Sequence, residues 1–212
     1  GSFSPTTTLS GSANFTFGAN DTGYAGIGKT QADAGNKLHS TFSYDLDLTS
    51  SFTGEDALVV EFEMGNATNS NLGLDVQSSN GTNLAVTDLY YSFPWQGFNI
   101  AFGPLMDGDA GLAGTPYLYS EPAVSGDSPY SLGSVGNGPA FAISKAWDNG
   151  FNASFNAQSG IGGNQSQNGM FTEDTTDFVT GQIGYDSDTF GGAFSYVEKD
   201  AGNAYGIGAY WR

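Results

Sequence analysis

The chain of 212 residues has no cysteine and one histidine, and only five of its residues are Lys or Arg. The missing cysteine excludes disulfide scaffolds, thiol chemistry and cysteine-ligated zinc. The shortage of basic residues excludes a nucleic-acid binder, which must displace counterions from phosphate. Charge as a whole is scarce, at 13% of residues, yet 22 acidic side chains leave a formal net charge of -17. No run of about 20 apolar residues is present, so the sequence offers no membrane-spanning helix. Helical periodicity is almost absent as well. What remains is aromatic and glycine-rich: 16 Phe, 11 Tyr, 3 Trp and 32 Gly. That much aromatic surface excludes a solvated, disordered coil.

The pattern that is present has a period of two. Over Thr41 to Thr49, Phe42, Tyr44, Leu46 and Leu48 share one face and Ser43, Asp45, Asp47 and Thr49 the other. Ala57 to Gly65 sets Leu58, Val60, Phe62 and Met64 against Val59, Glu61 and Glu63, and the polar turn Phe52 to Asp56 joins the two into a hairpin. Thr8 to Phe17 alternates likewise. Leu84 to Phe93 places Ala85, Leu89, Tyr91 and Phe93 opposite Asp88, Tyr90 and Ser92, and a Pro94-Trp95-Gln96-Gly97 turn leads into Phe98 to Phe102. Ala140 to Trp147 with Phe151 to Gln158, Asp177 to Tyr185 with Phe190 to Val197, and Gly202 to Trp211 complete roughly ten strands. Most are close to the 9–11 residues that a tilted membrane-crossing strand needs.

The connections alternate too. Short turns at 53–56, 94–97, 148–150 and 186–188 follow long polar stretches at 18–40, 66–83, 105–137 and 159–175. An up-and-down barrel with tight turns on one rim and long loops on the other has this rhythm. A soluble sandwich with Greek-key connections has no reason to keep it. The expected fold is therefore all-β, an antiparallel up-and-down transmembrane barrel, with 1–212 as one domain. Tyr90, Tyr91, Phe93, Trp95, Trp147 and Tyr185, with Phe151 and Phe190, fall beside short turns, where a membrane-interface girdle is expected.

Three stretches resemble the barrel domain of cyanobacterial outer-membrane porins with S-layer-homology domains, a family similar to the carbohydrate-selective porins and including iron-uptake members. They are Thr6-Thr7-Thr8-Leu9-Ser10-Gly11, Leu48 to Leu58 (LTSSFTGEDAL) and Asp88 to Pro94 (DLYYSFP). The resemblance implies a barrel of roughly sixteen strands in a cyanobacterial outer membrane. It makes 1–212 an N-terminal portion of that barrel, since Ala209-Tyr210-Trp211-Arg212 ends in mid-strand without the terminal aromatic carboxylate usual in this class. A ten-strand barrel closed on itself is too narrow for sugars. Long third loops in porins fold inward, so the resemblance places a constriction at 105–137, with Asp107, Asp109, Glu121 and Asp127.

No catalytic constellation accompanies these features, and no enzyme activity is expected. His39 lies in a long loop, no second histidine completes a triad, and Ser159-Gly160-Ile161-Gly162-Gly163 has no helix after it to bind phosphate. Asp107-Gly108-Asp109 starts like a calcium loop but lacks the distal Glu. No cofactor and no metal are expected. Asp45, Asp47, Glu61, Glu63 and Asp88 fall on the polar faces of neighbouring strands and would line a channel as an acidic wall that favours cations. The expected function is passive diffusion of inorganic ions and small polar solutes, iron species or sugars among them. The expected partners are outer-membrane lipid, the permeating solutes and further copies of the chain in a homotrimer. The alternative from another class is a secreted soluble β-sandwich that binds carbohydrate or adheres through its aromatics. A barrel with a structural role in a dense surface array is a third reading.

Overall fold

A computed structural model describes residues 6–19, 38–66, 81–107, 110–111, 137–160, 169–199 and 202–211. They form ten strands: β1 Thr6–Gly18, β2 His39–Ser51, β3 Ala57–Gly65, β4 Gly81–Trp95, β5 Phe98–Met106, β6 Gly138–Ala146, β7 Phe151–Ser159, β8 Asp177–Asp186, β9 Phe190–Lys199 and β10 Gly202–Trp211. All belong to one antiparallel sheet whose spatial order is the sequence order. The sheet is open: β1 pairs only with β2 and β10 only with β9. No helix occurs among the described residues.

Alternation decides which residues share a face, because the side-chain period of a strand is two. Register carries that choice from strand to strand. Asn156 pairs with Thr180, and Thr180 pairs with Val197. Phe155 pairs with Gly181 and Gly181 with Tyr196 on the opposite face. One face thus carries most of the exposed aromatic and aliphatic side chains; the other carries most of the polar ones, together with the buried Ala101, Met106, Ala140, Ala142, Phe178, Ala193 and Val197.

The sequence placed several residues differently. His39 pairs with Gly18 at the start of β2, outside the loop expected to hold it. Leu105 and Met106 extend β5, so the third long connection begins at Asp107. Pro94 and Trp95 pair with Asn99 and Phe98, which leaves Gln96-Gly97 as a two-residue turn. Both turn residues have positive φ, 50° and 78°, as the type I′ hairpin demands, and Gly97 meets that demand without a Cβ penalty.

A β-bulge between β3 and β4 changes which residues share a face. Glu61 pairs with Asp88 but Phe62 pairs with Val86, so Thr87 is an extra residue. One extra residue reverses the alternation beyond it. Ala85 therefore stands opposite Glu63 on the polar face, not beside Leu89 as expected, and Val86 is turned to the apolar face with Phe62.

The turn from β2 to β3 is organised by one carboxylate. Asp56 Oδ1 accepts hydrogen bonds from Ser51 Oγ at 2.7 Å, Phe52 N at 2.9 Å, Thr53 N at 2.7 Å and Thr53 Oγ1 at 2.7 Å, while Tyr91 Oη donates to Oδ2 at 2.5 Å. The LTSSFTGEDAL and DLYYSFP stretches thus meet physically, tyrosine to aspartate, across β3. Burial works against the charge on Asp56, but the bonds from Tyr91, Thr53 and Ser51 outweigh it and hold the carboxyl well below its usual 3.8. A depressed folded-state pKa gives stability that is full above the unfolded value and declines only as pH falls below it. Asp56→Asn should therefore lower the thermal unfolding midpoint at pH 7. The gap to wild type should persist on acidification to the ordinary carboxylate range and shrink only in stronger acid. Equal midpoints at pH 7 would show that the turn does not depend on this charge.

Candidate functional site: a polar face with one acidic wall

Soluble proteins bury apolar side chains and leave charged ones outside. Here the preference is inverted. Among the described residues, seven hydrophobic side chains are buried against fifteen polar or charged ones. Phe102, Phe141, Phe151, Phe155, Ile183, Phe194, Tyr205 and Ile207 are exposed, while Asn156, Gln158, Thr180 and Ser195 are fully buried. The first group faces one side of the sheet and the second the other.

The polar face has two parts. On β1 to β4 it is acidic. Asp45 pairs with Glu63, Asp47 with Glu61 and Glu61 with Asp88, so all five expected carboxylates come to one face on adjacent strands. Ser12 Oγ donates to Asp45 Oδ2 at 3.0 Å and Ser10 Oγ to Asp47 Oδ2 at 3.5 Å, which adds β1 to the wall. These four strands contain neither Lys nor Arg. Like charges directly opposite each other destabilise a sheet. Among the described residues, no group of three or more acidic or imidazole side chains gathers closely enough to hold a metal ion. The carboxylates are spread along three adjacent strands.

Asp45, Asp47, Glu61 and Glu63 are half-buried, whereas Asp88 is only 8% exposed. Asp88 Oδ1 accepts from Asp107 N at 2.9 Å and from Asn137 Nδ2 at 3.3 Å. Sequence reasoning grouped it with the other four because they share a face; the structure separates it by its partners.

On β6 to β9 the interior of the polar face is neutral, with Asp186 and Lys199 at its two ends. Ser144, Asn152, Ser154, Asn156, Gln158, Thr180, Gln182 and Ser195 line it. The alternation of Asn152, Ser154 and Asn156 was legible in the sequence, but their burial was not. Oδ1 of Asn152, Oγ of Ser154, Oδ1 of Asn156 and Oγ1 of Thr180 are buried and have no hydrogen-bond partner among the described residues. Such a group costs about 1–3 kcal/mol when it stays dry.

The expected constriction lies against this neutral part, as far as it is described. Gln158 Nε2 donates to the Met106 carbonyl at 2.8 Å and Asn156 Nδ2 to the Ala110 carbonyl at 3.3 Å. Ala110 N closes a turn onto the Asp107 carbonyl at 3.1 Å. Gly111, with φ of 88°, sits so near β6 that a Cβ there would come within 2.5 Å of the Ala142 Cβ. Asp107 is therefore placed at the polar face. Asp109, Glu121 and Asp127 lie outside the described residues.

The aromatics form two clusters at the short-turn rim. Tyr91 is 5.8 Å from Phe93, 6.1 Å from Phe102 and 6.3 Å from Phe52, centroid to centroid. Phe151, Tyr185, Phe190 and Trp211 follow one another at 5.0, 5.4 and 6.2 Å. Lys145 Nζ stands 4.6 Å from the Phe98 ring centroid and 5.7 Å from that of Trp147. Tyr90 is not part of these clusters: it packs on the polar face against the small group of Ala101, Met106, Ala140 and Ala142. Its neighbour Tyr91 takes the outward position because successive residues alternate.

No protein-family model matches the chain, and no curated protein matches it in sequence.

Proposed function

We propose that the ten strands are part of the wall of an outer-membrane porin that lets inorganic ions and small polar solutes diffuse through an acidic, cation-favouring channel. The inversion of polarity between the two faces carries this reading. An exposed apolar face across a whole sheet suits lipid, and a polar face with unpaired hydrogen-bonding atoms suits a water-filled lumen. The short-turn rim with its aromatic clusters suits one membrane interface. Lipid tolerates no open sheet edge, so β1 and β10 meet further strands in the assembled barrel. A β-sandwich is less well supported, because it needs a second sheet over the apolar face. The described strands make one sheet.

The mechanism involves no bond making. The carboxylates of β2 and β3 raise the local concentration of cations over anions, and the segment against β5 to β7 limits size. The test is a planar bilayer with the detergent-purified protein under a salt gradient. A reversal potential of cation-selective sign supports the reading. Anion preference, absence of conductance, or monodisperse behaviour without detergent overturns it.

A further inference from the structure

Of the five carboxylates on the acidic face, Asp88 is the one with a different set of partners, and those partners belong to both ends of a single connection. The connection leaves the sheet at Asp107, after β5, and returns at Asn137, before β6. The Asp107 amide donates to Asp88 Oδ1 at 2.9 Å, and the Asn137 side-chain amide donates to the same oxygen at 3.3 Å. Asn137 Nδ2 also reaches the Thr87 carbonyl at 2.5 Å. The Thr87 bulge is what presents both acceptors, since an extra residue in one strand re-aims the side chain that follows it. Glu61 is the cross-strand partner of Asp88 on β3.

We infer that Asp88 is a positioning residue and not a pore charge: its carboxylate fastens the start and the end of the 107–137 connection to β4, and so holds Met106, Asp107, Ala110 and Gly111 against the polar face where they narrow the channel. The inference rests on the porin reading above and adds a role for one residue within it. Two side chains of β7 complete the grip. Gln158 holds the Met106 carbonyl and Asn156 the Ala110 carbonyl, so the segment is held from β4 on one side and from β7 on the other. The segment covers the neutral polar face, and the buried atoms without partners on β7 and β8 (Asn156 Oδ1 and Thr180 Oγ1) gain nothing from its presence. Burying them opposes the inward position, so the clasp has to outweigh that cost.

Charge and clasp separate cleanly by substitution. Asp88→Asn removes the charge and keeps an Oδ1 for Asp107 N and Asn137 Nδ2, with its own Nδ2 available to Glu61. Asp88→Leu keeps the approximate volume and removes every acceptor. Single-channel recordings of the full chain in a planar bilayer should give wild-type conductance and reversal potential for Asp88→Asn. For Asp88→Leu they should give a conductance raised by about twofold and a larger cut-off for poly(ethylene glycol) exclusion, because the passage widens. Asn137→Ala removes one arm of the clasp from outside the strand and should raise conductance in the same direction, which keeps the test sound should Asp88→Leu fail to insert. Wild-type conductance in both Asp88→Leu and Asn137→Ala overturns the inference and leaves the porin reading in place. So does an Asp88→Asn reversal potential that shifts as far as that of Glu63→Gln. A wild-type protein that does not conduct overturns both.

Discussion

Replacing Asp45, Asp47, Glu61 and Glu63 together with Asn or Gln should cut the cation-to-anion permeability ratio by about tenfold or more, since a cleft lined by one sign of charge concentrates its counterions by factors of that order and above. The four side chains come in two cross-strand pairs, Asp45 with Glu63 and Asp47 with Glu61. Each pair sets two carboxylates opposite one another with no Lys or Arg on β1 to β4 to relieve them. Such like-charge pairs destabilise a sheet. The neutral variant should therefore be at least as stable as wild type, with an equal or higher thermal midpoint, while it loses ion preference. Loss of selectivity with no loss of stability is what a site maintained for function, at some cost to stability, predicts. Paired measurements of reversal potential and thermal midpoint check both halves. An unchanged reversal potential would place the four carboxylates away from the ion path. A large drop in midpoint would make them structural supports of the β2–β3 hairpin.

Much of this was legible from local pattern. The bounds of β3 and β10 follow from alternation and turn residues, and the places of the short turns after β2, β4, β6 and β8 were visible, because each depends on a few consecutive residues. The grouping of Asp45, Asp47, Glu61 and Glu63 on one face was legible for the same reason: the Phe52 to Asp56 turn fixes the register, and parity does the rest. The failures share a different cause. Ala85 and Val86 were misplaced because an unbroken period of two cannot anticipate the extra residue at Thr87. Tyr90 was counted with the girdle by its nearness in sequence to Tyr91, although parity alone puts it on the other face. The anchoring role of Asp88 depends on Asp107 and Asn137, 19 and 49 residues away. The burial of Asn156 and Thr180 depends on what covers them, which no window along either strand contains. Strand identity is local information, whereas the environment of a face is set by non-local pairing and by the connections laid on it.

That environment can be tested on the apolar face at a single position. Ile183 is 63% exposed and lies in the interior of β8, opposite Phe194 of β9, which in turn faces Ile207 of β10. If lipid covers this row, Ile183→Arg carries a charge into hydrocarbon. The barrel should then lose about 2–4 kcal/mol where the residue sits near the bilayer midplane, falling to about 0–1 kcal/mol near an interface. If water covers it, an exposed isoleucine replaced by arginine changes stability by no more than about 0.5 kcal/mol. Urea unfolding of the protein folded into lipid vesicles, compared between wild type and Ile183→Arg, reads the difference directly. Phe151→Arg is the internal control. Phe151 shares the apolar face but sits at the short-turn rim, within 5.0 Å of the Tyr185 ring, where an arginine head can reach the interface. A heavy loss for Ile183→Arg beside a slight one for Phe151→Arg is a depth profile, which lipid imposes and bulk water does not. Equal small effects at the two positions would leave the apolar face in water and remove the main support for a membrane-spanning wall.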